Sequence, residues 1–195
     1  MSKKSFLLAA ALVSLLTTAG SAQTPTWNID TPHSAAQFSV RHLGISTVRG
    51  AFTKVSGTVQ YDAANPGKTV IDASIDASSI DTRVEMRDND LKSPNYFDVA
   101  KFPTITFKSK KVESPSAGKL KVTGDLTMHG VTKEVVLDVE GPGAPIKDPW
   151  GNNRIGVSAS TKLNRQDFGV SGGSPMVGDD IPITIDMELV QPKAK

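Results

Sequence analysis

The three histidines are the most chemically versatile residues of this sequence, because histidine binds metals and transfers protons near neutral pH. His33 and His42 could meet an acid in space to bind zinc, although their spacing fits no local zinc motif. His42 also alternates with Phe38 and Val40, as expected of a hydrogen-bonded core histidine or of a ligand contact. His129 precedes a glycine and is expected in a turn. No nucleophile, base and orienting acid form a set, so we expect no catalytic residues.

Three short stretches resemble functional signatures but lack the features on which those signatures depend. Residues 169–173, GVSGG, have the Gly-x-Ser-x-Gly spacing, but Pro175 follows where that motif needs a helix. Residues 66–69, PGKT, resemble the end of a phosphate-binding loop, yet Asp62 stands in place of its first glycine. Residues 88–90, Asp-Asn-Asp, lack the glycine and the terminal glutamate of a calcium loop. We therefore expect no metal and no cofactor.

The N-terminal residues 1–22 have the features of a secretory signal peptide. Lys3 and Lys4 precede an apolar run, residues 6–16, and small residues lead to a cleavage site expected after Ala22. The run is shorter than the ~20 residues of a membrane-spanning helix. Cleavage removes two lysines and no acid, so the formal charge falls from +2 to zero. We predict a domain over residues 23–195, in the periplasm or secreted from a bacterium, with no nucleic-acid partner and no membrane span.

Apolar and polar residues alternate through nearly all of the predicted domain, as they do in half-buried β-strands. The chain has no cysteine, so packing and backbone pairing alone must stabilise the fold. Short connections favour antiparallel neighbours, and eight strands close a barrel just wide enough for one ligand. We predict an all-β fold, an eight-stranded antiparallel up-and-down (lipocalin-like) β-barrel, with two packed sheets as the alternative. The eight strands are expected at residues 34–42, 55–61, 69–78, 104–109, 120–128, 131–139, 154–163 and 181–189, with a short extra strand at 26–30.

Residues 81–99 interrupt the alternation with a charged segment that predicts one short helix. Thr82 and Glu85 have the spacing of a capping box, and Pro94 is expected to end the helix. A helix this short is unstable alone in water, so we expect it to cap one open end of the barrel. Arg83 and Arg87 are expected one turn apart on the same face. They are candidates to bind a phosphate or pyrophosphate head group, or else form a solvated pair neutralised by nearby acids.

Four blocks of the sequence resemble a known family: IDTPHSAAQFSVRHLGISTVRGAF, RDNDLKSPNYFDVAKFPTITFKS, GDLTMHGVTKEVVLDV and LNRQDFGV. In this order, and over about residues 27–189, the chain resembles the YceI-like family of bacterial proteins. The resemblance implies a lipocalin-like barrel exported to the periplasm, with a long isoprenoid or a related lipid in its interior. Proteins of the family often carry histidine before the leucine of the helix block, where this chain has Asp90 before Leu91.

The inward-facing residues and the resemblance together predict a carrier without catalysis for a long-chain isoprenoid, a quinone-like molecule or a fatty lipid. Burial of an apolar chain contributes about 25 cal/mol per Å² of apolar surface. Small inward residues, such as Ala73 and Ala159, either leave the interior open or let opposite walls approach. The predicted lining comprises Phe38, Val40, His42, Ile71, Ile75, Phe107, Leu126, Val135, Leu137, Ile183 and Ile185, with Leu91, Tyr96 and Phe97 at the entrance.

Two other functions are compatible with the same pattern. A barrel with a filled core would act through its surface, as an inhibitor or a stress-response interaction protein. A hydrolase would use His42 together with an acid distant in sequence. A homodimer is compatible with each of these functions.

Overall fold

Twelve β-strands and one α-helix organise residues 24–193, which are the residues that the computed structural model describes. The predicted signal peptide, residues 1–22, lies outside the described residues. The strands are β1 (Thr26–Ile29), β2 (Ala35–His42), β3 (Ser46–Phe52), β4 (Val55–Gln60), β5 (Val70–Asp76), β6 (Ile80–Asp81), β7 (Thr104–Ser116), β8 (Lys119–Met128), β9 (Val131–Glu140), β10 (Ile146–Lys147), β11 (Asn153–Asn164) and β12 (Asp180–Gln191), and the helix is α1 (Glu85–Lys92).

The strands form eight antiparallel walls in chain order. β1 and β2 make the first wall, β3 and β4 the second, and β5 and β6 the third. β7, β8, β9, β11 and β12 complete the ring, and the short β10 flanks β11. β12 pairs with β11 along one edge and with β1 and β2 along the other, which closes the barrel. The predicted eight-stranded up-and-down barrel is therefore confirmed, and the alternative of two packed sheets is wrong.

The period-two pattern decides which side chains face the interior. Ala159 of β11 lies opposite Ile185 of β12, and both face inward. The adjacent pair faces outward, where the Ser158 hydroxyl donates to the Asp186 carboxylate over 2.7 Å. A slip of one residue would turn the whole apolar set of a strand to solvent, so burial fixes this register.

The strand β3 was missed by the sequence analysis because Gly50 interrupts its apolar face. Gly50 pairs with Phe38 of β2, whose ring lies over it. A Cβ atom at this glycine would come within 2.6 Å of the Phe38 ring. The glycine therefore leaves space for an inward aromatic ring. Because glycine has no apolar side chain, the apolar alternation of β3 is interrupted at this position.

The helix α1 starts differently from the prediction. Its N-cap is Val84, and Thr82 forms no capping box with Glu85, so that prediction is wrong. Instead the Asp88 carboxylate accepts hydrogen bonds from the backbone N–H and the hydroxyl of Thr82, at 2.8 and 2.5 Å. Thr82 is buried, so this contact ties the first turn of the helix to the end of β6.

The end of α1 agrees with the sequence prediction. The C-cap residue Ser93 has extended dihedral angles, φ −73° and ψ 169°, immediately before Pro94. Within residues 24–193 the structure contains no helix with the length and apolar character needed to cross a bilayer.

Candidate functional site

The barrel encloses an apolar chamber, here called the lower chamber, that is lined by side chains from all eight walls. It leaves about 160 Å³ for the centres of water-sized groups. None of its lining residues is charged, and the polar ones are Gln37, Tyr61, Thr69, Thr106 and Thr161. A cavity of this composition favours an apolar ligand over ordered water, which needs several polar partners.

The burial of the inward side chains shows that this interior is hollow. Val157, Ile183 and Ile185 face the chamber, yet each is only partly buried. Val55 and Val122, elsewhere on the same inward face, are fully buried with 0% exposure. A filled barrel would bury all five side chains alike, because protein cores are closely packed.

Most of the predicted lining residues lie in the wall of the lower chamber. The small residues Ala73 and Ala159 line it as well. Contact of these residues with a lipid stays a prediction. The predicted residues found in this wall are Phe38, Ile71, Ile75, Phe107, Leu126, Val135, Leu137, Ile183 and Ile185.

A second apolar space, here called the upper chamber, lies beneath the segment that follows α1. It leaves about 100 Å³ for the centres of water-sized groups. Leu91, Tyr96 and Phe97, the predicted entrance residues, line this chamber together with Val40. We call residues 85–103 the cap segment, because α1 and the turns after it lie over this end of the barrel. That Leu91, Tyr96 and Phe97 gate the entry of a ligand stays a prediction.

An aromatic cluster lies at the boundary of the two chambers. Phe38 and Phe52 line both of them, with ring centroids 6.0 Å apart. Phe97 of the cap segment meets Phe52 edge to face, with centroids 5.4 Å apart and an interplanar angle of 87°. The cap segment therefore contacts the aromatic rings that lie between the two chambers.

Arg165 is the one charged residue among those lining the upper chamber, and the sequence analysis did not select it. Its side chain is buried, and its guanidinium donates to the carbonyls of Gly178, Val170, Gly172 and Val177 at 2.7–3.0 Å. It also pairs with Asp179 at 3.0 Å. Four of its five N–H donors therefore make hydrogen bonds, and the ion pair engages the guanidinium further.

Arg165 therefore holds the loop of residues 169–179 against the barrel, and its hydrogen bonds are made within the protein. The only sequence signal for this role was an arginine followed by a glycine-rich loop, which is too common a pattern to identify it. The Gly-x-Ser-x-Gly stretch belongs to the same loop, and no helix follows it.

The structure corrects three predicted contacts. His42 ends β2 beyond the barrel, where it is exposed and lines neither chamber, so its expected place on the inner face is wrong. Arg83 precedes α1 in a left-handed conformation with φ 64°, so it does not share a helical face with Arg87. Arg87 donates instead to the hydroxyl and the carbonyl of Thr82, at 2.8 and 2.9 Å. Neither arginine lines a chamber.

The histidines do not converge on a shared site. His33 precedes β2 and His42 ends it, so the strand separates them by roughly 23 Å at about 3.3 Å per residue. His33 contacts Asp30 at 3.0 Å. His129 lies in a turn with φ 52°, as expected, and its ring packs against Phe102 with centroids 4.7 Å apart.

A charged network lies outside the chambers, at the opposite end of the barrel from the cap segment. Arg154 donates to Asp30, Asp148 and Glu188. The hydrogen bond from Arg154, supported by one from His33, holds the pKa of Asp30 below its ordinary value. Burial alone raises the pKa of Asp148, but hydrogen bonds from Asn152 and Arg154 outweigh it and lower that pKa.

The same network contains the residues of the described chain that could together ligate a cation, namely Asp30, His33 and Glu188. Arg154 already forms ion pairs with both carboxylates of this trio. A cation would have to displace the guanidinium, so the network stabilises the fold and does not form a convincing metal site.

Comparison with known proteins matches residues 27–189 to the model of the YceI-like domain. A UPF0312 protein of Vibrio cholerae is 37% identical over 190 residues, which cover 95% of this chain and 96% of that protein. Among solved structures, a YceI protein of Campylobacter jejuni shares 35% identity with a TM-score of 0.69, over 78% of this chain and 90% of the other.

A second solved structure shows the same fold at lower identity. It is a polyisoprenoid-binding domain from Saccharophagus degradans, implicated in plant cell wall breakdown. The TM-score is 0.65 at 16% identity, over 85% of this chain and 98% of the other. The family match over most of the chain and the 37% identity to the Vibrio protein agree with the hollow barrel described above. The chain belongs to the YceI-like family.

Proposed function

We propose that this protein is an exported carrier that holds one long-chain lipid of the isoprenoid class in its barrel, without catalysis. The observation that carries the proposal is the uncharged, apolar lower chamber, enclosed by all eight walls. An apolar chain has no favourable environment in water, and burial contributes about 25 cal/mol per Å². The closed barrel supplies such an environment without exposing strand edges.

The volume of the chambers favours a chain over a compact small molecule. A water-sized group needs about 10–15 Å³ on this measure, so the lower chamber holds on the order of ten methylene-sized groups. The upper chamber adds room for roughly six more along the barrel axis. An elongated ligand that passes the Phe38 and Phe52 rings would occupy both spaces.

The choice of an isoprenoid over other apolar chains is supported by the Saccharophagus domain, which has this fold and binds polyisoprenoid. Branched methyl groups at regular intervals also suit an interior where small and large side chains alternate, such as Ala159 beside Val157. Quinone-like and fatty lipids have the same apolar character and are competitors in the test. Export to the periplasm or outside the cell is supported by residues 1–22.

The absence of catalysis is supported by the composition of the chambers. Among the described residues that line them, the titratable side chains are Tyr61, Tyr96 and Arg165. The guanidinium of Arg165 is already engaged by four backbone carbonyls and by Asp179. The hydrolase alternative needs His42 near bound ligand, but His42 is exposed and outside both chambers. The filled-core alternative disagrees with the partly exposed inward side chains.

The proposal is tested by titrating delipidated protein with a fluorescent polyene isoprenoid. We expect saturable binding with one site per chain, and competition by unlabelled isoprenoid at lower concentration than by a fatty acid of equal length. Better competition by the fatty acid would overturn the isoprenoid assignment. Lack of saturable binding by any of these chains would overturn the carrier.

A further inference from the structure

Three large apolar side chains are exposed together beyond the capped end of the barrel. Ile45 is 80% exposed, and Leu43 and Met176 are 53% and 54% exposed. Leu43 lies in the β2–β3 turn, and its backbone N–H donates to the carbonyl of Met176 over 2.7 Å. These three residues, here called the apolar tip, therefore form one patch contributed by two chain segments.

The backbone of the tip shows that folding does not explain its residue types. Leu43 and Gly44 occupy the centre of a tight turn with positive φ angles of 51° and 70°. Asparagine and glycine suit such left-handed positions, whereas a bulky side chain there is strained. Leu43 accepts this strain and is 53% exposed, so the leucine gains less stability from burial than a core leucine does. A contact outside the folded chain accounts for both features.

The surroundings of the tip are positively charged. The β2–β3 hairpin, residues 35–52, contains Arg41, His42 and Arg49 and no acidic residue. Arg41 donates to the Thr47 hydroxyl at 2.8 Å and to the Gly44 carbonyl at 2.6 Å, which holds its charge beside the turn. This combination of an apolar tip and a basic collar is complementary to a bilayer with anionic head groups.

The neighbouring loop does not reverse this charge. Residues 169–178 contain no charged side chain. The next two acids along the chain are already paired, Asp179 with Arg165 at 3.0 Å and Asp180 with Lys162 at 3.0 Å. The two chain segments that form the tip therefore keep a net positive charge, whereas the adjoining cap segment carries four acids and three bases.

The tip is continuous with the ligand space. Val40 and Val177, which line the upper chamber, lie three residues before Leu43 and one residue after Met176. Apolar residues of the chamber wall and of the exposed patch thus lie close together in the same two chain segments.

From these features we propose that the apolar tip inserts into the head-group region of an anionic lipid bilayer, with Arg41 and Arg49 on the lipid phosphates. The barrel would then dock with its β2–β3 hairpin against the membrane, at the end where the upper chamber lies. The proposal goes beyond carriage of a lipid, because membrane docking is measured without any ligand in the barrel.

The absence of cysteine in the chain permits a site-specific probe of docking. Ile45→Cys is labelled with an environment-sensitive fluorophore, and Ile146→Cys, 67% exposed at the opposite end, is the matched control. Vesicles contain equal parts of phosphatidylethanolamine and phosphatidylglycerol. We expect a blue shift for the probe at position 45 only. Equal responses at the two positions, or none at either, would overturn the proposal.

Substitutions distinguish an effect on docking from an effect on folding. Each is made in the full chain, so any contribution of residues 1–22 to vesicle binding is the same in every variant. Ile45→Ser should lower the vesicle partition coefficient roughly tenfold, and Arg49→Gln about fivefold on anionic vesicles only. Leu43→Asn should weaken partition while its melting temperature stays equal or rises, because asparagine suits the turn. Unchanged partition in all three variants would contradict docking.

A second copy of this chain is the competing occupant of the tip. Light scattering without vesicles distinguishes it, because a dimer dissociated by Ile45→Ser would assign the tip to self-association and overturn membrane docking. A monomer that partitions to vesicles supports docking. Isoprenoid titration of Ile45→Ser distinguishes membrane docking from lipid carriage. If the tip serves only in docking, the affinity of this variant for isoprenoid in solution is unchanged.

Discussion

Ala159 shows at the scale of one residue how the sequence makes a hollow wall. It faces the lower chamber between two exposed serines on β11, and its methyl group leaves space that a larger side chain would fill. Alternation alone specified the direction of this side chain. It did not specify whether the space before it was empty, because that depends on residues of the opposite walls, distant in sequence.

Filling this space should remove the ligand without removing the fold. Ala159→Phe directs a ring into the chamber, and we expect isoprenoid affinity to fall at least tenfold, with an overpacking cost of about 1–3 kcal/mol. Ser160→Phe places the same ring on the outer face of β11 and should bind normally. Isoprenoid titration with urea unfolding measures both quantities. Equal affinities in the two variants would show that the ligand lies elsewhere.

Arg165 gives a second prediction at this scale. Lysine retains the charge but lacks the planar set of donors that reaches four carbonyls. Arg165→Lys should therefore lower the free energy of unfolding by about 3 kcal/mol, because buried acceptors lose their partners. Arg49→Lys, at an exposed position, should change it little. Urea unfolding distinguishes them, and equal stabilities would contradict the role of Arg165.

The Arg154 network predicts a dependence of stability on pH. The lowered pKa values of Asp30 and Asp148 mean that their stabilisation is complete above the unfolded-state value of about 3.9 and is lost as the pH falls below it. Arg154→Gln should be less stable than the parent at pH 7, and the difference should narrow at pH 3. Urea midpoints at the two pH values measure this. A constant difference would contradict the network.

At the scale of elements, the cap segment was predictable in existence and position but not in its local contacts. Pro94 and the short charged run fixed where α1 ends. The start depended on Asp88 binding Thr82, a contact six residues apart that also requires β6 to end nearby. A capping box can be predicted from two residues of the sequence. The contact between Asp88 and Thr82 can be predicted only if the position of β6 is known.

The strand β3 illustrates the same limit. The close approach of the Phe38 ring requires Gly50, and that requirement comes from a partner strand. Strands whose inward faces are uninterrupted, such as β12, were predicted within a few residues of their observed ends. Sequence patterns therefore identify elements that pack uniformly, and they fail where one element makes room for another.

The cap segment should control the rate of ligand exchange. Leu91→Ser with Phe97→Ser removes apolar contacts over the upper chamber, including the edge-to-face contact with Phe52, but breaks no strand pairing. We expect circular dichroism to stay unchanged and the off-rate of a fluorescent isoprenoid to rise roughly tenfold. Met86→Ser, 83% exposed on the same helix, is the control. An off-rate equal to the parent's would place the entrance at another part of the barrel.

At the scale of the whole molecule, the closed ring of eight walls explains how a chain without disulfides supports an open interior. Backbone pairing around the ring and packing where β1 closes it stabilise the shell, as shown by the buried Trp27, Ile29 and Leu189. The stability of the shell therefore does not require side chains to fill the interior. The barrel type followed from strand number and short connections, whereas the class of ligand depends on the family and on the hollow centre.

The most direct test of the carrier proposal is native mass spectrometry of the protein purified without detergent. We predict a species heavier than the polypeptide by the mass of one lipid, released on denaturation and identified by extraction as an isoprenoid chain. The Ala159→Phe variant, purified in the same way, should lack this species. A polypeptide mass alone for the parent, with no chain lipid in the extract, would contradict the proposal that the barrel carries a lipid.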